Sequence, residues 1–183
     1  MSRNSAGQAV RILEAALRLY TSKPPQTVTM DEIAREAEVS KGTVFYHFKS
    51  KRNLERELLR YSIEKYFSWV YEESRDSRTL ERVVRETLKI VRDNPRLTLF
   101  WYYVLEKELF AGDTAYAREL YNEMVEFLTL LLDDMGVGRP EQTAILLLAM
   151  LDGISIYSLF NLEFNVDEIG DLILEFVKWR CEM

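Results

Sequence analysis

Two residue types that build many catalytic and metal sites are almost missing from this sequence. Its 183 residues include one cysteine, Cys181, and one histidine, His47. A disulfide framework and a histidine-rich metal site therefore cannot be built within one chain. The sparse cysteine favours a reducing compartment, and no basic start leads into an apolar run as in a secretion signal. We expect a cytoplasmic protein.

The sequence also lacks the local patterns of common enzyme classes. It has no Cys/His pair, no glycine-rich phosphate loop and no metal-ligand spacing. The carboxylate pair Asp133-Asp134 falls where a helix is expected to end, so we interpret it as a solvated helix end. We expect no catalytic residue, no metal and no cofactor, and therefore a protein that is not an enzyme.

The net charge of −6 is unevenly distributed along the chain. Residues 1–56 contain ten Lys and Arg against six Asp and Glu, a balance of +4, so the remaining residues carry −10. A basic segment of this kind can displace counterions from DNA, while an acidic remainder is repelled from it. The charge pattern indicates a nucleic-acid-binding head and an acidic body.

Apolar residues recur with the helical period along the chain, and no alternating strand pattern appears. We predict an all-α protein of about nine helices. Helix 1 carries the stripe Val10, Leu13, Leu17 and Tyr20, and helix 4 is expected from Ser50 to about Glu73. The predicted domain boundary lies inside helix 4, which gives domains at 1–56 and 57–183.

Capping residues and helix breakers place the later helices. Glycines and prolines separate them, and the side chains of Asp, Asn and Ser suit their first turns. The expected boundaries are Asp76 or Ser77, Asn94-Pro95, Gly112-Asp113 before a helix Thr114 to Met135, Pro140 to about Asn161, and Asn165 with Glu168.

A helix-turn-helix, which is two short helices joined by a tight turn, is predicted after residue 28, and a long third helix follows it. Thr29 and Glu32 form a T-x-x-E capping box that fixes the start of the first helix. Ser40 is a suitable N-cap for a second helix, Lys41 to Phe48. In that helix the apolar Val44 and Phe48 share one face. The outward set is Lys41, Gly42, Thr43, Phe45, Tyr46 and His47, which suits contact with a DNA groove.

The run IAREAEVSKGTVFYHFKSKRNL resembles the DNA-binding head of the TetR family of transcriptional regulators. It matches the family pattern I-A-x-x-A-G-V-S-x-G-x-x-Y-x-H-F-x-x-K-x-x-L almost position for position. One departure is Glu38, which replaces the usual turn glycine. In a left-handed conformation its side chain would cost about 1–2 kcal/mol, and its charge would oppose DNA phosphates.

The resemblance implies a DNA-binding role for individual residues of this head. It implies phosphate contacts for Thr29, Tyr46, His47 and Lys51, and base-edge contacts for Lys41, Gly42, Thr43 and Phe45. Ser40 joins the set at the start of the reading helix. The implied partner is double-stranded DNA.

The segment from Thr143 to Phe160 is apolar on nearly all sides and contains one charge, Asp152. A membrane span needs about 20 apolar residues, and a central aspartate costs roughly 2.5–3.5 kcal/mol there. We therefore expect burial by protein and no membrane. The TetR resemblance also implies a homodimer through the last two helices. The alternative is that both helices fill the core of a single chain. The expected interface residues are Ile145, Ala149, Gly153, Ile156, Ile169, Leu172, Ile173 and Phe176.

Aromatic residues are concentrated in the body, where most of them are expected to form core. The cluster 100–103, Phe-Trp-Tyr-Tyr, points to all sides of its helix, so some of its rings must face a partner, a cavity or solvent. The resemblance implies a small-molecule pocket between helices, and this body suits a small apolar or aromatic effector. Asp152 could meet a cation there or pair with a buried donor. The candidate effector residues are Tyr66, Trp101, Tyr102, Tyr121, Met124 and Tyr157.

Together these features predict a ligand-responsive transcriptional regulator. It would bind a near-palindromic operator as a dimer and act as a repressor that its effector releases. The alternative is an architectural or constitutive DNA-binding dimer without an effector.

Overall fold

The computed structural model describes residues 3–68, 75–160 and 164–181, with side chains from residue 6 onward. Within these ranges the chain forms nine α-helices, a short 3-10 turn at Pro25–Thr27 and no strand, which confirms the all-α prediction. The helices are α1 (Arg3–Ser22), α2 (Met30–Glu36), α3 (Lys41–Phe48), α4 (Lys51–Phe67), α5 (Ser77–Asp93), α6 (Pro95–Phe110), α7 (Thr114–Asp134), α8 (Pro140–Leu159) and α9 (Val166–Cys181).

Side-chain caps start several of these helices where the sequence predicts them. The Oδ1 atom of Asp76 accepts hydrogen bonds from the backbone of Arg78 and Thr79 at the start of α5. Asn165 accepts from the backbone N–H of Asp167 at 3.0 Å and so caps α9. Asn94 differs, because it precedes α6 without a side-chain hydrogen bond and leaves Pro95 to set the first turn.

Helix ends agree with the sequence to within about two residues where the predicted end is described, and α4 is described as far as Phe67. Helix α7 ends at Asp134 rather than Met135, and α8 ends at Leu159. The predicted ends near Glu73 and Asn161 lie outside the described residues.

The chain separates into two compact units. The first unit comprises Met1–Ser68 together with Leu99–Val104, a segment of α6. The second unit comprises Trp69–Thr98 and Leu105–Met183. The division into functional domains at 1–56 and 57–183 stays a prediction.

The core of the first unit lies where α1, α2, α3 and α4 meet. Ile12, Tyr20, Ile33 and Leu54 are fully buried there. The predicted stripe on α1 is wrong at Val10, which is 43% exposed. The buried face of α1 is centred on its small residues at positions 15 and 16, which are fully buried, so Val10 lies outside it.

The second unit is built on packing among α5, α7, α8 and α9. Gly170 on α9 permits a close crossing, because a Cβ atom there would lie 3.3 Å from the Leu88 side chain of α5. By length and composition alone, helix α8 could cross a membrane. Within the described residues 33% of its most apolar window is buried, so much of this helix is exposed on the single chain. The apolar stripe of α5 is buried throughout: Leu80, Val83, Val84, Leu88 and Val91.

Candidate nucleic-acid interface

The capping box at the start of α2 is formed as predicted. The Thr29 hydroxyl accepts from the Glu32 backbone at 3.2 Å, and the Glu32 carboxylate accepts from the Thr29 backbone at 2.9 Å. Lys23 donates a hydrogen bond to the same carboxylate. The hydrogen bonds that the carboxylate accepts, first from Lys23 and then from the hydroxyl and backbone N–H of Thr29, lower the pKa of Glu32 to about 2. The entry to the helix-turn-helix is therefore held by a charge-assisted network.

The turn between α2 and α3 has a side chain where its geometry favours glycine. Glu38 has φ 54°, in the left-handed region. Its N–H donates to the Arg35 carbonyl at 3.1 Å, and the Val39 N–H donates to the Ala34 carbonyl at 2.9 Å. This is the hydrogen-bond pattern of a Schellman motif, in which glycine usually occupies the position of Glu38. The expected strain is therefore present.

Helix α3 begins at its predicted cap and buries its predicted face. The Ser40 hydroxyl accepts from the Thr43 backbone at 3.0 Å. Val44 and Phe48 are buried and attach the helix to the core of the first unit. The opposite face remains available to a partner.

The available face of α3 contains polar and aromatic side chains together. Lys41, Gly42, Phe45 and Tyr46 are exposed, with Tyr46 at 69%, and Thr43 is half-buried beside Ser40. Two neighbouring rings with this much exposed apolar surface, beside lysine on a short helix, favour a contact outside the chain.

Gly42 adds an independent indication of such a contact. A Cβ atom at this position would meet only the Ser40 hydroxyl, at an ordinary 3.6 Å. The fold therefore does not require glycine here, although glycine within a helix costs about 0.5–1 kcal/mol relative to alanine. The missing side chain leaves room for a close external surface, such as the wall of a DNA groove.

The cations of this surface are held by acids within the first unit. The Lys41 ammonium donates to Asp31 at 3.0 Å. The Lys51 ammonium lies 3.7 Å from the carboxylate of Glu55. Both lysines retain exposure to solvent, so a phosphate could displace the acids or share the lysine ammonium groups with them.

His47 and Lys49 complete the end of the surface. The Nε2 atom of His47 lies 3.1 Å from the side-chain oxygen of Gln8 on α1. Lys49 has φ 64° and places its ammonium 5.1 Å from the centre of the Tyr46 ring. Lys49 is not among the DNA contacts predicted from the sequence. A lysine between Phe48 and the Ser50 cap could have marked it as a candidate phosphate contact.

The predicted effector residues divide between the two units. Tyr66, Trp101 and Tyr102 belong to the first unit and are half-buried. The indole N–H of Trp101 donates a hydrogen bond of 2.8 Å to the Ser62 hydroxyl. Tyr121, Met124 and Tyr157 belong to the second unit.

Asp152 in the second unit has a donor partner. The hydroxyl of Tyr121 donates to its carboxylate at 2.9 Å. Burial raises the pKa of Asp152, and the hydrogen bond from Tyr121 opposes this effect. Of the two roles expected for Asp152, pairing with a donor is therefore present.

Helices α8 and α9 leave an apolar surface on the second unit. Ile173, which was predicted with this surface, is only 4% exposed and belongs to the core of the single chain. Ile169, Gly153 and Phe176 are half-buried. The exposed members of the surface are Ile145, Leu146, Ala149, Ile156, Tyr157, Leu172 and Trp179.

Comparisons with known proteins agree on the kind of head that this chain carries. Residues 12–58 match the family model described as bacterial regulatory proteins, tetR family. An uncharacterised helix-turn-helix-type transcriptional regulator of Mycobacterium tuberculosis is 31% identical over 136 residues, which cover 72% of this chain and 65% of that relative. The chain thus spans just under two thirds of that protein's length.

Solved structures share the fold over nearly the whole chain. A TetR transcription regulator from Haloarcula marismortui superposes with a TM-score of 0.80 at 19% identity, covering 96% of this chain and 98% of that one. The multidrug binding protein EbrR, solved with imidazole, superposes with a TM-score of 0.69 at 21% identity and covers 97% and 94%.

Proposed function

Because this chain belongs to the TetR family of bacterial regulatory proteins, we propose that it binds operator DNA and regulates transcription in response to a small molecule. The matched family and relatives are regulators rather than enzymes. The proposed site of action is the cytoplasm, where chromosomal DNA is accessible.

The outward face of α3 carries this proposal. Lys41, Thr43 and Phe45 would approach base edges, and Gly42 would let the helix backbone come close to the groove wall. Phosphate contacts would come from the rim of this face, where cations and hydroxyls lie around α3. The rim residues are Thr29, Ser40, Tyr46, His47 and Lys51.

Pairing of two copies would follow from the apolar surface on α8 and α9. Ile145, Ala149 and Ile156 lie along one side of α8, and Leu172 and Phe176 lie on α9. Packing these faces against a second copy would give a four-helix interface with a two-fold axis. Two reading helices would then contact half-sites about 34–36 Å apart on a near-palindromic operator.

We propose that the effector is a small apolar or aromatic compound and that it releases the repressor from DNA. The half-buried rings of Tyr66, Trp101 and Tyr102 in the first unit support an apolar ligand. A near-complete release requires the ligand to prefer the released state by about 5.5 kcal/mol.

The second candidate function is a DNA-binding dimer that needs no effector. Trp101 and Tyr121 favour it in part, because their polar atoms already have hydrogen-bond partners within the chain. Thermal unfolding in the presence of a library of hydrophobic compounds separates the two functions. Stabilisation by a compound that also lowers DNA affinity supports the effector, whereas no stabilising compound supports the constitutive dimer.

Selection of bound sequences from random duplex DNA at low ionic strength tests the proposed function directly. The expected product is a near-palindrome whose enrichment falls when metabolite extract is added. Thr43→Ala is the matched variant, and it should relax the selected sequence while the protein stays folded. Absence of enrichment, or a strictly monomeric protein in sedimentation, would overturn the proposal.

A further inference from the structure

A buried carboxylate lies directly behind the proposed phosphate contact of the first unit. Glu55 on α4 is 1% exposed, which is unusual for a glutamate without strong partners. Its Oε1 atom accepts a hydrogen bond of 2.7 Å from Tyr20 and one of 3.4 Å from Tyr103. The same oxygen lies 3.7 Å from the Lys51 ammonium. Two hydroxyl donors and one ammonium ion therefore compete for the same carboxylate oxygen.

The three donors differ in how firmly they are held. Tyr20 is 1% exposed and packs on Phe100 with ring centres 4.7 Å apart, so its short bond to Glu55 is fixed by the core. Burial and the neighbouring Glu55 raise the pKa of the Tyr20 hydroxyl, which keeps it a donor. Tyr103 donates at a distance near the limit of a hydrogen bond, so a small movement of its ring breaks that bond.

Lys51 stands between this carboxylate and solvent. Its side chain is 30% exposed, which lets the ammonium turn inward to Glu55 or outward to an external anion. A DNA phosphate and Glu55 would therefore attract the same cation in opposite directions. The lysine binds phosphate best when other donors satisfy the carboxylate.

We propose that Glu55 is an internal competitor of DNA phosphate for Lys51, and that Tyr103 of the α6 segment Leu99–Val104 sets the strength of this competition. The inference rests on the proposed DNA-binding function and adds a regulatory device to it. Glu55 and Tyr103 are positioning residues, since they act on DNA through Lys51. Withdrawal of the Tyr103 hydroxyl draws Lys51 inward and weakens the phosphate contact.

A double-mutant cycle tests this coupling. Affinity is measured by fluorescence anisotropy for the selected duplex and for a random-sequence duplex, across a salt series. Tyr103→Phe should raise the Kd of both duplexes by about two- to fivefold, the effect expected of a partly exposed ion pair. It should also flatten the salt dependence toward that of Lys51→Ala. In a Lys51→Ala background the same substitution should leave the Kd unchanged.

Glu55→Gln should not lower DNA affinity, in contrast to Tyr103→Phe. This difference excludes a merely structural effect. The amide keeps an acceptor for Tyr20 but removes the charge, so DNA affinity should equal or exceed that of the parent, and Tyr103→Phe should then have no effect. Tyr61→Phe is the matched control, because Tyr61 on the same helix donates to Glu14 at 3.3 Å, away from Lys51. It should leave the Kd and the salt slope unchanged.

The outcomes separate this inference from the proposed function. An equal loss of affinity from Tyr103→Phe with and without Lys51 would overturn the competition, as would an unchanged Kd and salt slope in the single variant. Even if Glu55→Gln fails to fold, the cycle between Tyr103 and Lys51 still decides the question. A parent protein that binds no duplex would overturn the proposed function, and the inference would fall with it.

Discussion

Glu38 offers a sharp test of how the turn of the helix-turn-helix is built. The residue has φ 54° and occupies the position of a Schellman motif that glycine usually fills. Its side chain is exposed, so replacement by glycine removes no packing. Glu38→Gly should therefore relieve backbone strain without opening a cavity.

The size of the effect follows from two opposing terms. Relief of the left-handed conformation contributes about 1–2 kcal/mol, and the greater freedom of glycine in the unfolded chain costs about 0.4–1 kcal/mol. The net expectation is a stabilisation of about 0.5–1 kcal/mol. For a chain of this length that corresponds to a rise in Tm of about 1–4 °C.

The charge of Glu38 requires a separate variant. Glu38→Gln keeps the strained backbone but removes the negative charge from the exposed turn that precedes α3. It should leave the Tm nearly unchanged and tighten binding to all duplexes, with the largest gain at low salt. Glu38→Gly should show the same gain in affinity together with the gain in stability.

Arg139 is the matched control for the backbone term. It has φ 54° and ψ 61° just before α8, and it belongs to the second unit, whereas α3 belongs to the first. Arg139→Gly should stabilise the chain without changing DNA affinity. Thermal unfolding followed by circular dichroism measures all three variants. An unchanged or lower Tm for Glu38→Gly, while Arg139→Gly is stabilised, would refute the strain argument at this turn.

Three further predictions concern the same head. Gly42→Ala should stabilise the protein by about 0.5–1 kcal/mol and yet weaken DNA binding, as unfolding and anisotropy would measure; equal or tighter binding would contradict the proposed close approach. Lys51→Ala should weaken all duplexes similarly and lower the slope of log K against log salt by about one, and a slope equal to that of the parent would count against its phosphate role. Glu32→Gln should destabilise the protein near neutral pH. Because the folded pKa of Glu32 is depressed from 4.5 to about 2, the deficit should shrink as pH falls between those values, and a deficit that stays constant in urea unfolding over that range would argue against the ionised capping box.

Local chemistry explains what the sequence predicted well. Thr29, Ser40 and Asp76 mark helix starts because their side chains bond to backbone groups two or three residues away. The buried pair Val44 and Phe48 follows from helical spacing alone. Such features depend on neighbours within one or two turns, so a single sequence contains them.

Tertiary partners explain what the sequence did not provide. Val10 has the right spacing for the core but extends past the face that the other helices cover, and Ile173 lies inside the chain rather than on the predicted interface. The buried Glu55 accepts hydrogen bonds from Tyr20 and Tyr103, which are 35 and 48 residues away in sequence. No local pattern marks a glutamate as buried when its partners come from another helix.

The assignment of Leu99–Val104 to the first unit has a consequence for biosynthesis. Phe100 is fully buried against Tyr20, so this unit lacks part of its core until residue 104 has left the ribosome. A nascent chain that stops at Ser68 would expose the Tyr20 ring and leave Glu55 with fewer donors. We therefore expect the first unit to complete its core only after residues 99–104 have been translated.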